Sequence, residues 1–137
     1  MYEVFEHTAD LGLRVRAASL MELFAEAARG LVAMVVTNLD DVQPVQDMTF
    51  QITGSEAEYL LFDWLNELLY TIDTQRVVFN QFECRLSAGG LNCTARGEPI
   101  DEARHELDHE VKAITYHGLK VEEQPDGHWL AELIVDI

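Results

Sequence analysis

The 137 residues are 48 % hydrophobic and include only 8 Gly and 3 Pro, which is enough to bury one core and too little for two, so a single domain over residues 1–137 is expected and disorder is excluded. Asp and Glu number 25 against 9 Lys and Arg, a formal net charge of -16 at pH 7. That balance excludes direct non-specific nucleic-acid binding, which needs cations to neutralise phosphates, and it suits a domain that holds hard cations or docks on a basic protein.

Tyr2 to Phe5 reads as a short strand, and Leu11, Leu13, Val15 and Ala17 alternate with Gly12, Arg14 and Arg16 as a half-buried strand does. Ser19 and Glu22 form a capping-box pattern ahead of Leu20, Leu23, Phe24, Ala27, Leu31, Met34 and Val35, which predict a helix up to about Val36. A polar loop through Asn38, Asp40, Asp41 and Pro44 leads to a strand alternating at Met48, Phe50 and Ile52. Ser55 with Glu58 marks a second capping box. The helix it opens carries Leu61, Phe62, Leu65, Leu68, Leu69 and Ile72 on one face, widened by Trp64 and Tyr70, opposite Asp63 and Glu67. Both helices read as scaffold.

The remainder reads as strands over 77–86, 91–97, 111–117, 119–124 and 128–136, with Pro125-Asp126-Gly127 closing the last hairpin. Cys84 and Cys93 flank the turn Ser87 to Gly90 symmetrically, so that pairing of 86 with 91 brings the thiols face to face as reduced core residues. Helices inserted among antiparallel strands predict an α+β fold, mainly antiparallel sheet with two principal helices packed on it. No apolar stretch approaches the roughly 20 residues of a membrane span, and Tyr2, Glu3 and Glu6 replace the basic start of a signal peptide, so no membrane partner and a cytoplasmic location are expected.

Three constellations can carry chemistry. His105-Glu106-Leu107-Asp108-His109 matches the zinc-hydrolase pattern H-E-x-x-H, which works only on a helix, where residues four apart present both imidazoles to one metal and Glu106 serves as general base; His117 or an acidic residue is a conceivable third ligand. Polar loop histidines are the plain alternative. The second is His7-Thr8-Ala9-Asp10, whose Asp10 either caps backbone N–H groups or joins the carboxylates at Asp136 and Ile137 if the terminal strand runs beside the N-terminal one. Three anionic oxygen donors repel one another unless a cation intervenes, and oxygen-only ligation selects Ca²⁺, Mg²⁺ or Mn²⁺ over zinc. The third is the strand Val111 to His117, where Lys112 can balance those carboxylates, contact a partner, or simply be solvated. Glycine-rich phosphate loops, a Ser-His-Asp order and CxxC pairs are missing from the sequence.

Together these stretches resemble the archease family. The resemblance rests on His7-Thr8-Ala9-Asp10-Leu11-Gly12-Leu13, on Ser19 to Phe24, on VKAITYH from Val111 to His117, and on the final Asp136-Ile137. It implies a non-catalytic accessory protein of the RtcB-type tRNA-splicing RNA ligase, one that promotes ligase guanylylation and repeated turnover and broadens the nucleotides the ligase uses. GTP and tRNA would then be met only through the ligase. The family's divalent-metal site falls on Asp10, Asp136 and Ile137, with His7, Lys112, Arg104 and His105 as partner or activation residues. Arg104 stands where some relatives carry lysine, and the two differ in fork geometry and hydration. The family also places other residues, including proline, within the stretch matching His105 to His109, which implies that the H-E-x-x-H match is coincidental. A plain acidic adaptor that binds no metal is the remaining expectation from composition.

Overall fold

The computed structural model describes residues 1–7 and 10–137, so Thr8 and Ala9 of the predicted junction lie outside the described residues. The chain runs through β1 (Tyr2–His7), β2 (Asp10–Ala17), α1 (Leu20–Val35), β3 (Gln46–Thr53) and α2 (Ala57–Gln75). It continues through β4 (Val77–Ser87), β5 (Gly90–Pro99), β6 (Ala113–Glu123) and β7 (Trp129–Asp136). The strands form two antiparallel sheets, β1-β2-β7-β6 and β3-β5-β4. Each helix touches both: α1 lies against β2 and β4, α2 against β6 and β3. The α+β class is as expected, but the strands divide between two sheets.

Local chemistry explains most of these elements. Leu11, Leu13 and Val15 of β2 are buried under α1, whose Ser19 Oγ accepts the Glu22 N–H at 3.2 Å as an N-cap should. Leu23, Phe24, Ala27, Leu31 and Val32 form the buried stripe of α1. Trp64 of α2 is fully buried and donates its indole N–H to the Phe24 carbonyl at 3.1 Å, which joins the two helices. The second capping box does not form. Glu56 occupies the N-cap of α2 with no side-chain bond, and Tyr70 is 64 % exposed instead of widening the core stripe.

The β4–β5 hairpin has the register that its turn predicts, Leu86 opposite Leu91 and Cys84 opposite Cys93, with both thiols free, buried and 2.6 Å apart. Gly97 is required where β5 pairs with β4 beside the register shift between Phe79 and Gln81, because a Cβ there would lie 1.8 Å from the Val78 carbonyl oxygen. The last hairpin closes as expected, Gln124 N–H donating to the His128 carbonyl at 2.6 Å with Gly127 at φ +88°. The two strands read at 111–117 and 119–124 are one strand, β6, whose pairing with β7 breaks between Thr115 and Lys120. Across that break β6 advances five residues while β7 advances two, from Ile134 to Glu132. Three extra residues therefore bulge from β6, and Gly118 at φ +71° turns the chain there. Among the described residues no helix is long and apolar enough to cross a membrane.

Candidate metal site at the end of the four-stranded sheet

The sheet β1-β2-β7-β6 gathers the predicted residues at one end. His7 pairs with Asp10 across β1 and β2. Leu11 pairs with Val135 across β2 and β7, so Asp10 and Asp136 stand side by side one position further along. Asp136 in turn pairs with Ala113 of β6, and its carbonyl accepts the Lys112 N–H at 2.8 Å. Leu11 and Val135 are buried toward the helices, and the side-chain alternation of a strand therefore turns Asp10 and Asp136 to the opposite face. Both are only half-buried, as is Ile137, which packs against the edge of the core.

That face carries three successive cross-strand rows. Next to the acidic row lies an apolar one in which Phe5 opposes Gly12 and covers it so closely that a Cβ would sit 2.1 Å from the ring. Beyond it, Arg14 donates to Glu3 at 3.1 Å and to Glu132 at 3.3 Å, its guanidinium 4.8 Å from the Phe5 centroid, while Lys120 reaches Glu132 at 3.5 Å. The cations Arg14 and Lys120 are thus engaged two rows away from Asp10 and Asp136. Burial alone would raise the Glu132 carboxyl, but Arg14 and then Lys120 outweigh it and hold it below the ordinary range.

Two imidazoles flank the acidic row. β2 and β7 separate β1 from β6 in the sheet, yet the rings of His7 and His117 approach to 6.4 Å between centroids. The bulge of β6 makes this approach feasible by carrying His117 out of the regular ladder. His7 Nδ1 is buried without a hydrogen-bond partner among the described residues. Sequence reasoning treated His117 only as a spare zinc ligand, and nothing in strand periodicity signals its meeting with His7. The carboxylate oxygens are the donors that a hard divalent cation takes, whereas the imidazole nitrogen is a ligand for borderline ions and adds nothing to that selection. Among the described residues no three His, Cys, Asp or Glu side chains converge closely enough to hold a metal by themselves.

Arg104 and His105 are held elsewhere. His105 is 2 % exposed, accepts the Asp101 N–H on Nδ1 at 2.9 Å, and places Nε2 3.0 Å from Glu98 Oε2. An imidazole whose Nδ1 is an acceptor carries its proton on Nε2, so His105 is a neutral donor to Glu98. Glu98 also accepts the Gln43 N–H at 2.7 Å and a bond from Arg104, which donates to Asp101 at 3.3 Å as well. Burial would raise the Glu98 carboxyl, and the Gln43, His105 and Arg104 donors together hold it below its ordinary range. This latch, unforeseen because Glu98 and its donors are dispersed in sequence, anchors the segment that leads into β6.

The same geometry removes the helical H-E-x-x-H arrangement. Residues 105–109 are not helical, both nitrogens of His105 are engaged, and Glu106 accepts from the Thr37 hydroxyl at 2.9 Å. Lys112 is exposed at the start of β6, beside Asp136 through its backbone bond.

The model of the archease protein family matches residues 2–137. The chain is 39 % identical over 140 residues to the protein archease of Pyrococcus abyssi, covering 99 % of this chain and 98 % of that one. It is likewise 39 % identical over 140 residues to the protein archease of Methanopyrus kandleri, with 99 % of each covered. The solution structure of Methanobacterium thermoautotrophicum protein 1598 superposes with a TM-score of 0.85 at 34 % identity, covering 99 % of this chain and 98 % of the other. The crystal structure of a Thermotoga maritima archease, titled a possible chaperone, has the same fold, with a TM-score of 0.68 at 24 % identity and coverage of 100 % and 98 %.

Proposed function

The chain belongs to the archease family, and from that premise we propose that it is a non-catalytic accessory protein of an RtcB-type tRNA-splicing RNA ligase, promoting ligase guanylylation and repeated turnover. The observation that supports this reading is the placement of Asp10 and Asp136 side by side at the ends of neighbouring strands, away from the core. Asp10 and Asp136, with the carboxylate at Ile137, would hold Ca²⁺, Mg²⁺ or Mn²⁺. A divalent ion supplies electrostatic stabilisation of negative charge on triphosphate oxygens. The protein's own contribution is to present its oxygen donors at a half-exposed sheet end, where a partner's active site can reach them. Lys112 adds a mobile cationic head beside that end, and His7 bounds it on the β1 side. GTP and tRNA are met through the ligase, which agrees with the excess of acidic residues.

The test uses purified ligase, GTP and substoichiometric amounts of this protein, with guanylylated ligase and joined RNA as readouts. Stimulation beyond one turnover per protein is expected, and it should fall at least tenfold with Asp10→Ala and with a short C-terminal extension after Ile137. Unchanged stimulation in both variants would reject the site.

A further inference from the structure

We propose that the outer face of α2, together with the bulge of β6, receives an arginine-bearing segment of the protein partner. The inference rests on the reading of this chain as a ligase accessory and specifies where contact is made. Tyr59, Phe62, Asn66 and Tyr70 recur at helical spacing outside the buried stripe of Leu61, Trp64, Leu65 and Leu68. Tyr59 is 53 % and Tyr70 64 % exposed. The bulge adds Tyr116, 51 % exposed, which stacks on Phe62 at 3.9 Å and 16° and meets Tyr59 edge-on at 5.9 Å. A cluster of rings that still offers faces to water is what an interface core uses.

Charge selects the occupant. Between α2 and the edge strand β3 runs a groove of about 550 Å³, with Ile52 and Phe62 on its walls and the exposed Asp63 and Glu67 along it. From Ala57 to Gln75 the helix has no Lys or Arg, whereas Glu58, Asp63, Glu67 and Asp73 are all exposed. Asp63 lies near the Tyr116 phenol, which burial first and then Asp63 and Tyr59 push up. A guanidinium satisfies both features at once, lying flat on a ring while donating to a carboxylate. Phosphates would be repelled by the same carboxylates, and a second copy would bring an identical acidic patch across a two-fold axis. The surface is also continuous with the proposed metal site, because Tyr116 precedes His117 and the His117 ring approaches His7, the partner of Asp10.

Affinity for the purified ligase is the measurement, by interferometry at several salt concentrations, on variants at exposed helix positions whose folding is checked by melting. Tyr59→Ala combined with Asp63→Lys should bind at least tenfold more weakly and lose part of the salt dependence, and Tyr59→Phe should bind like the unaltered protein. Should the unaltered protein not bind ligase at all, the functional reading fails first. Should it bind while the double variant stays within twofold of it, this surface is wrong and the functional reading stands. Micromolar self-association abolished by Tyr59→Ala, or binding of a single-stranded RNA oligonucleotide that depends on Tyr59, would equally overturn the proposal.

Discussion

Replacing Glu98 by alanine removes the shared acceptor of the latch and leaves one buried donor without a partner, the His105 Nε2–H, while the N–H of the exposed Gln43 can turn to water. A buried donor left unsatisfied costs about 1 to 3 kcal/mol, and Glu98→Ala should lose about that much. For a chain of 137 residues the entropy of unfolding converts each kcal/mol to about 3 to 4 °C of melting temperature, an expected fall of roughly 3 to 12 °C. Glu98→Gln should lose less, since an amide oxygen in the Oε2 position still accepts from both Gln43 and His105 and only its NH2 group faces Arg104. The pH dependence separates charge from shape. A carboxyl held below its ordinary value in the folded state stabilises fully above the unfolded value of about 4.3, and that contribution is lost as pH falls through the lower folded value. The gap in melting temperature between the unaltered protein and Glu98→Gln should therefore be constant above about pH 5 and narrow in more acid solution. Calorimetric melts from pH 3 to 8 would read both effects; an alanine variant melting within about 2 °C of the unaltered protein at pH 7 would refute the reasoning.

Three further substitutions and one labelling experiment probe the scaffold. Gly97→Ala should destabilise by about 3 kcal/mol in urea denaturation, because its methyl would meet the backbone of Val78 and Phe79 and not a side chain that can swing away; a loss under about 0.5 kcal/mol would contradict the close approach of β4 to β5 at this position. Gly12→Ala should be milder, since only the far end of the Phe5 ring stands in the way, and Phe5→Leu should relieve part of the loss. Cys84 and Cys93 should resist maleimide in the folded protein and both label in urea, as their burial and the Cys84 contact that pushes the Cys93 thiol up imply. Rapid stoichiometric labelling without denaturant would show that the hairpin opens far more readily than its packing allows.

Periodicity made much of this legible. Alternation at Leu11, Leu13 and Val15 identified β2 and its buried face, and the symmetric turn at Ser87 to Gly90 set the facing of Cys84 and Cys93, because both are short-range consequences of the pleat. Asp10 and Asp136 could be brought together on paper, since each ends a strand whose apolar residues declare its place in the core. What stayed hidden depends on contacts that no local period encodes. Alternation says which residues share a face but not which sheet a strand joins, so the division into two sheets was invisible. The ranges 111–117 and 119–124 read as two strands where the chain makes a bulge within one, at Gly118. Tyr70 passed for core because an aromatic at the margin of a helical stripe looks the same whether or not another element covers it. The latch was out of reach because Gln43 and Glu98 lie 55 residues apart and meet only in the fold.

The interruption of β6 has one further consequence. Above and below it the ladder with β7 is regular, Ala113 to Thr115 at the acidic end and Lys120 to Glu123 at the other. The intervening residues act like an expansion joint between two rigid spans. Changes of length or shape at residues 116–119 can be absorbed there without shifting the register that keeps Asp136 beside Asp10. One portion of the strand is thereby released to adapt to whatever the molecule must touch, and the other is left fixed for whatever it must hold.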